Sequence, residues 1–486
     1  MRLDKILENV DTLNIYGDTN IDIDNIYYDS REVTKNSMFI CIKGYNTNGH
    51  LYIENAIKSG AKAFLIEEDI NIDNMEKYTI IKVSNTKEAM AKIASNFYNE
   101  PSTKLDVIGI TGTNGKTSVS TLLKEILNKV NKCGLIGTIE IDNSKEKIIP
   151  KNTTPESLDL QKSFNDMLKN NCKYCAMEVS SHALSLGRVK DTSFLMGLFT
   201  NLTEEHLDFH KNIEDYRNSK EKLFYMTTKA NIINIDDEHG KIILNNIKNL
   251  DIPVYTYAIN EHADFMASDI ILEKDHIEYK VKTPTYEDYI YVNIPGKFSV
   301  YNTLGIISIC YILDIDINIV KEVFRNTKGI KGRFESIKNN KKLNVIVDYA
   351  HTPDALENIL KASKEFTKGK VITVFGCGGD RDRLKRPIMG KIAQEYSDVA
   401  IITSDNPRCE DPHKIINDIL KGINIKKDNY IIIEDRKEAI YKAIDMANDK
   451  DLVIIAGKGH EDYQIIGKKK HPFDDTKVAL EAINLK

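Results

Sequence analysis

Residues 107–123 read VIGITGTNGKTSVSTLL. A β-rich apolar run enters a glycine-rich turn, and a helical pattern starts near Lys116. Strand, tight turn and helix in that order commit the surrounding chain to parallel α/β construction. Gly112 and Gly115 let backbone N–H groups approach phosphate oxygens, within a turn completed by Thr113, Asn114 and Ser118. Lys116 is placed to reach the β and γ phosphates of ATP, and the Thr117 hydroxyl to bind Mg²⁺. The match to G-x-x-x-x-G-K-[ST] is imperfect, because Ile110 stands where a glycine is called for. Taken alone, the segment also fits a helix N-cap turn with a chance lysine.

The strand-and-helix alternation continues in both directions. Residues 1–100 contain the strands SMFICIKG and KAFLIEE around the helix HLYIENAIKSGA. A boundary is expected near Pro101. Residues 101–330 hold LDVIGIT, GLIGTIEI, YCAMEVSS, FLMGLFTNL, ANIINIDD and PVYTYAI as strands. The two glycines of GIKGRF interrupt the pattern, and residues 331–486 start again with LNVIVDYAH, KVITVFGCGGD, DVAIITSDNP and DLVIIAGKGH. Every strand of that last run leaves through polar, glycine-rich or charged residues, where parallel α/β sheets bind ligands. A chain of 486 residues accommodates about three such units.

Composition excludes several other classes. A net charge of −5 with 29% charged residues indicates neither a nucleic-acid surface nor an acidic tail. Seven cysteines in this length do not form a disulfide framework, and Cys172 and Cys175 lack the second ligand pair of a zinc site. No apolar run approaches the ~20 residues of a membrane span, and MRLDKILENV lacks the core of a signal peptide. A cytoplasmic protein with no nucleic-acid partner and no membrane insertion is expected, with a monomer as the default.

Four further stretches carry chemistry. YCAMEVSSHALSLGRV places Glu178 at a strand end, where its carboxylate suits Mg²⁺ as a second protein ligand. FTNLTEEHLDFH supplies His206, although a lone histidine is more often structural than a ligand. EDYRNSKEKLF offers Lys220 and Lys222 on a helix; a solvated face is the ordinary reading, and spacing does not choose between them. SDNPRCEDP sets Asp405, Asn406, Pro407 and Arg408 at a strand exit, which by itself reads as a surface turn.

Together with NTTPES, YRNSK, GRFE, VDYAHTPDAL, FGCGGDRDRLKRPIMG and AGKGHEDYQ, these motifs occur in one order along nearly the whole chain. The set resembles the Mur ligases, which build the peptide of bacterial cell-wall precursors. Within them it looks like the branch that adds the third residue. The resemblance implies an α/β fold of three domains. These are a small N-terminal domain for the UDP substrate, a central P-loop ATPase-like doubly wound sheet, and a C-terminal Rossmann-like domain for the amino acid. It implies ATP-driven amide formation on UDP-N-acetylmuramoyl-L-alanyl-D-glutamate through an acyl phosphate.

Carried onto this sequence, the resemblance makes Lys220, four residues after Tyr216, a carbamylated lysine. With His206 it would hold a second Mg²⁺. It assigns Ser30, Thr153, Thr154, Ser180 and Arg188 to the UDP substrate, and Asn302, Arg333 and Asp348 to ATP, with His351 lining the site. Glu205, Ser299 and Leu186 depart from the residues usual in the family. DNPR is the pattern of ligases that add meso-diaminopimelate. Arg408 and Asn406, with Asp405, Pro407, Arg381, Gly457 and Glu461, would form that pocket. A planar guanidinium is the best grip for the carboxylate that lysine lacks. The competing readings are a lysine-adding relative, a folylpolyglutamate synthase-like ligase, and a nucleotide-dependent switch without ligation.

Overall fold

The computed structural model describes residues 1–44, 47–70, 74–207, 209–273 and 275–486. Three large sheets of five, eleven and six strands follow one another along the chain, with one two-stranded hairpin besides. The first runs Asn14–Tyr16, Thr79–Lys82, Ala61–Ile66, Ser37–Ile40, Asn25–Tyr27 in space. All four residues of Ser37–Ile40 are buried. Asn85 starts the helix Thr86–Phe97 by accepting from the backbone N–H groups of Lys87 and Glu88, a standard relief of unpaired helix donors.

In the second sheet the strand Asp106–Thr111 lies between Tyr174–Glu178 and Phe194–Phe199, parallel to both. Its Val107, Ile108 and Ile110 are fully buried, as a strand covered on both faces requires. The first strand of this sheet thus sits between later ones, which opens a crevice at its carboxyl end. The helix Lys116–Leu127 leaves that end and buries Val119, Leu122, Leu123 and Ile126, one stripe at helical spacing. The helix Lys297–Ile312 is buried almost all round and lies inside the body.

The run GLIGTIEI is not one strand. Cys133–Ile136 ends, and Ile141–Asp142 folds back antiparallel onto it. The bend falls at Gly137, where a Cβ would lie 2.5 Å from Glu178 Oε1. The far side of the sheet is an antiparallel meander, Phe265–Leu272, Ile277–Lys282 and Glu287–Val292, that the α/β alternation did not announce.

The third sheet runs Glu335–Ser336, Asn344–Asp348, Leu452–Ala456, Val371–Phe375, Val399–Ile402, Tyr430–Ile432, parallel except for the first strand. Four predicted strands are therefore immediate neighbours, and their polar exits share one edge. Under that edge Arg436 and Asp475, both fully buried, form a bidentate ion pair at 2.8 and 2.7 Å. Arg436 also donates to Ala456 O at 2.9 Å, at the end of a central strand.

Removing one member of a buried pair leaves the other charge uncompensated in a dry site. Arg436→Met should cost about 3–5 kcal/mol in urea unfolding of the third body, and Arg436→Met with Asp475→Leu should recover most of it.

Candidate active site

The turn after Asp106–Thr111 is a meeting point. Gly112 and Gly115 have φ of 147° and 88°, conformations that side chains rarely take. A Cβ on Gly112 would strike Thr200, and one on Gly115 would strike Asn302. Asn302, from the buried helix, thus lies against the loop. Lys116 Nζ donates to Gly112 O and Thr113 O, both at 2.8 Å. Lys220 Nζ donates to the same Gly112 carbonyl at 2.8 Å. Two lysine side-chain nitrogens therefore share one backbone oxygen.

Lys220 is 1% exposed, whereas Lys222 is exposed, so burial makes the choice that spacing did not. Burial, and then the charge of Lys116, push the Lys220 amine well below the usual lysine range. Burial also lowers Lys116, against the pull of Glu205 and Glu178. Glu205 is itself partly buried. Burial works to raise its carboxyl, but His206, His351, Lys116 and Lys220 outweigh that and hold it below the usual range. His206 Nε2 stands 3.5 Å from Glu205 Oε1, and its ring meets those of His182 and Tyr216 edge-on.

Parallel register sets Glu178 beside Ile110, just before the turn. Its Oε2 accepts from Thr117 Oγ1 at 3.0 Å and Thr138 Oγ1 at 3.0 Å, while Oε1 accepts from Thr138 N at 2.8 Å. A buried carboxylate and hydroxyl oxygen side by side fit Mg²⁺, which takes hard oxygen donors and completes its shell with phosphate oxygens and water. Among the described residues no three His, Cys, Asp or Glu side chains converge as a metal site. Lys220 becomes an oxygen donor only if carbamylated.

The residues expected around the UDP substrate divide. Thr153 contacts Thr138 at 3.1 Å, Thr154 donates to Glu178 O at 2.9 Å, and Ser180 caps the short helix Ser181–Ser185. Arg188 donates to Thr154 O at 3.2 Å and pairs with Glu156 at 2.8 Å. These four form one group at the Glu178 exit. Ser30 lies apart, in the turn after Asn25–Tyr27 on the first sheet. The two bodies touch nearby, where Tyr28 donates to Asp159 at 2.5 Å.

The third body closes the cleft, whose volume is about 700 Å³. Arg333 donates to Thr117 Oγ1 at 3.3 Å and stacks over Tyr349. Asp348 accepts from the backbone N–H groups of Phe334 at 2.6 Å and Ala350 at 2.7 Å, so it shapes the turn that carries Arg333. His351 lines the cleft, its Nδ1 2.8 Å from Tyr349 O. Asp354 Oδ2 accepts from Asn114 at 2.7 Å, Thr203 at 2.9 Å and Asn358 at 3.0 Å, joining the phosphate loop to the helix Pro353–Phe366.

On the adjoining edge, Arg381, Asn406, Arg408, Gly457 and Glu461 come together around the exits of Val371–Phe375, Val399–Ile402 and Leu452–Ala456. Arg408 donates to Gly379 O at 2.9 Å, and among the described residues it pairs with no carboxylate. Arg381 is exposed. Asn406 donates to Glu461 Oε2 at 2.9 Å. Asp405 approaches Gly457, where a Cβ would lie 2.6 Å from Oδ2. Pro407 is buried behind them.

Comparison with known proteins agrees with this construction. The Mur ligase middle domain matches residues 110–310, the Mur ligase glutamate ligase domain 332–459, and the Mur ligase family catalytic domain 22–98. The UDP-N-acetylmuramoyl-L-alanyl-D-glutamate--2,6-diaminopimelate ligase of Clostridioides difficile (strain 630) is 58% identical over 486 residues, all of both chains. The chain belongs to the Mur ligase family.

A ligase of the same name from Alkaliphilus oremlandii (strain OhILAs) is 49% identical to this Mur ligase, over 99% of this chain and 98% of its own. A solved structure of a ligase so named is 30% identical, covers 95% of each chain and superposes with a TM-score of 0.67. Sequence reasoning missed Thr138, Thr203, Asp354 and Lys458 in this Mur ligase. Asp354 had a visible trace, an acid in the first turn of a helix after VDYAHTP, but such acids usually serve the helix dipole.

Loss of Asp354 removes the acceptor shared by Asn114 and Thr203. Asp354→Ala should loosen the third body from the loop, read as a larger radius of gyration in small-angle scattering and a raised KM for ATP at unchanged secondary structure.

Proposed function

We propose that this Mur ligase is a cytoplasmic, monomeric ATP-dependent ligase that adds meso-2,6-diaminopimelate to UDP-N-acetylmuramoyl-L-alanyl-D-glutamate, a step of peptidoglycan precursor synthesis. The observation that carries the amino-acid assignment is Arg408, a half-buried guanidinium without a carboxylate partner among the described residues, beside Glu461 and Asn406. Such a fork matches the second carboxylate of diaminopimelate, and Glu461 matches its ammonium.

The chemistry requires two anions to meet. The terminal carboxylate of the UDP substrate attacks the γ-phosphorus of ATP; a P–O bond forms and the bond to ADP breaks. The amine then attacks the acyl carbon, phosphate leaves with the C–O electron pair, and the amine proton passes to solvent. Lys116 and the N–H groups of residues 112–118 neutralise charge where the anions repel, and Arg333 brings a second cation from the opposite body. Arg188, beside Thr154 and Ser180, is suited to the diphosphate of the UDP substrate. Thr117 and Glu178 would hold Mg²⁺, and His206 with a carbamylated Lys220 a second. Bound Mg²⁺ would screen the triphosphate and polarise its γ-phosphoryl oxygens.

Carbamylation joins the neutral Lys220 amine to CO₂ and releases one proton, giving N6-carboxylysine. The depressed amine supports it, because burial and Lys116 both favour the uncharged form. Protein equilibrated with isotope-labelled bicarbonate should show a carbamate carbon that Lys220→Arg lacks; a bare lysine in fully active enzyme would refute the modification.

Phosphate release in the presence of ATP and the UDP-muramoyl dipeptide should depend on the amino acid supplied. Diaminopimelate should support it and lysine should not. Arg408→Ala should raise the KM for diaminopimelate about 10²-fold or more with the KM for ATP little changed, since it removes a charged partner from a specificity contact. Equal use of lysine and diaminopimelate by the wild type would point to a lysine-adding enzyme, and phosphate release without any amino acid to a switch.

A further inference from the structure

Lys458 follows Gly457 in the loop after the strand Leu452–Ala456, and it is 0% exposed. A lysine is rarely buried so completely unless its charge is matched. Here Nζ donates to Asn406 Oδ1 at 3.1 Å and Glu461 Oε2 at 3.3 Å, and lies 4.0 Å from Asp405 Oδ1. Two of these residues also hold each other. Asn406 donates to Glu461, and Asn406 Oδ1 also accepts from Ile465 N at 2.8 Å. Lys458 therefore lies beneath the pocket proposed for the amino acid and touches its amide and its acid from behind.

The charges of that pocket can be summed. Asp405 and Glu461 are negative, and Lys458 and Arg408 are positive, so the four cancel. The other buried cations nearby are already balanced. Arg436 pairs with Asp475, and Arg386 pairs bidentately with Glu410 at 2.9 Å and with Asp418 at 3.0 Å, a carboxylate it shares with Arg383 and Lys421. Arg381 is exposed and screened by solvent. A neutral pocket suits an end group carrying one ammonium and one carboxylate. Lysine brings an ammonium alone and would leave a positive charge in excess.

We propose that Lys458 is the positioning residue that sets the selectivity of this pocket, holding Asn406 and Glu461 in place and tuning its net charge to a zwitterionic end group rather than a lone ammonium. The inference rests on the amino-acid reading given above and deepens it. Lys458 is fully enclosed and presents no surface to the pocket. Its effect passes through the residues it holds and through the field it adds in a site of low dielectric.

The test compares kcat/KM for diaminopimelate and for lysine in wild type, Lys458→Met and Lys458→Arg, with melting temperatures alongside. Lys458→Met leaves the pocket one charge more negative. The ratio of diaminopimelate to lysine use should fall about tenfold or more, partly through a gain for lysine, with the KM for ATP within about twofold. Lys458→Arg keeps the charge in a poorer fit; both values should fall together and the ratio should hold. If Lys458→Met does not fold, Lys458→Gln carries the same comparison. A parallel loss of both substrates in the neutral variants, with the ratio unmoved, would reduce Lys458 to a structural lysine and overturn the inference. A wild type that does not discriminate would instead overturn the amino-acid reading itself.

Discussion

The cleft is organised around a turn of four residues, 112–115, whose backbone is exposed to partners from two bodies. A turn that points its N–H groups outward toward an anion must turn carbonyls inward, and those need donors of their own. Gly112 O finds two in Lys116 and Lys220, which arrive from different helices. Thr200 and Asn302 pack where side chains on Gly112 and Gly115 would have been, and Asn114 reaches across to Asp354. The turn is thus both the proposed anion site and the joint between sheets. A change in its backbone is felt by the second body's lysine and the third body's acid at once.

The two chemical tasks proposed for this protein fall on adjacent strand exits. Asp348 ends the strand that pairs with Leu452–Ala456, and Gly457 N donates back to Asp348 O at 3.0 Å. The residues that carry Arg333 toward the loop 112–115 are therefore one strand away from those of the proposed amine pocket. The contact is close. Gly332 has a φ of 68°, and a side chain there would strike the backbone of Gly459 and His460. Tyr349 stands between Arg333 and His460, with ring contacts to both. In the function proposed, energising the acid and presenting the amine would thereby be tied to one edge of the third sheet, as a reaction with a labile acyl phosphate demands.

How much of this was legible varied with the distance over which each signal acts. The loop, Glu178 at a strand end and the four exits of the third sheet depend on local pattern, and the folded chain has them where the pattern put them. The bend at Gly137 and the meander of residues 265–292 escaped, because short apolar runs look alike whether the strand continues or folds back. The hairpin of Tyr463–Ile466 and Lys469–Pro472, which grips Arg408 through Ile465 O and Gly467 N, escaped too, although its glycine turn was visible.

The sequence by itself determined the class of the fold, the glycine turn between strand and helix, and the chemical types gathered at the strand exits, because those follow from periodicity and from what glycine, lysine and carboxylates can do. Only the tertiary structure decided which charges are buried. Lys220 and Lys222 are two residues apart on one helical stretch, yet one is sealed against the turn and the other meets water. Lys458 reads as one more surface lysine in a glycine-rich loop and is enclosed entirely. Burial depends on what distant segments place over a side chain. It also governs the cost of its charge and the choice of its partners, so this part of the chemistry becomes readable only once the chain is folded.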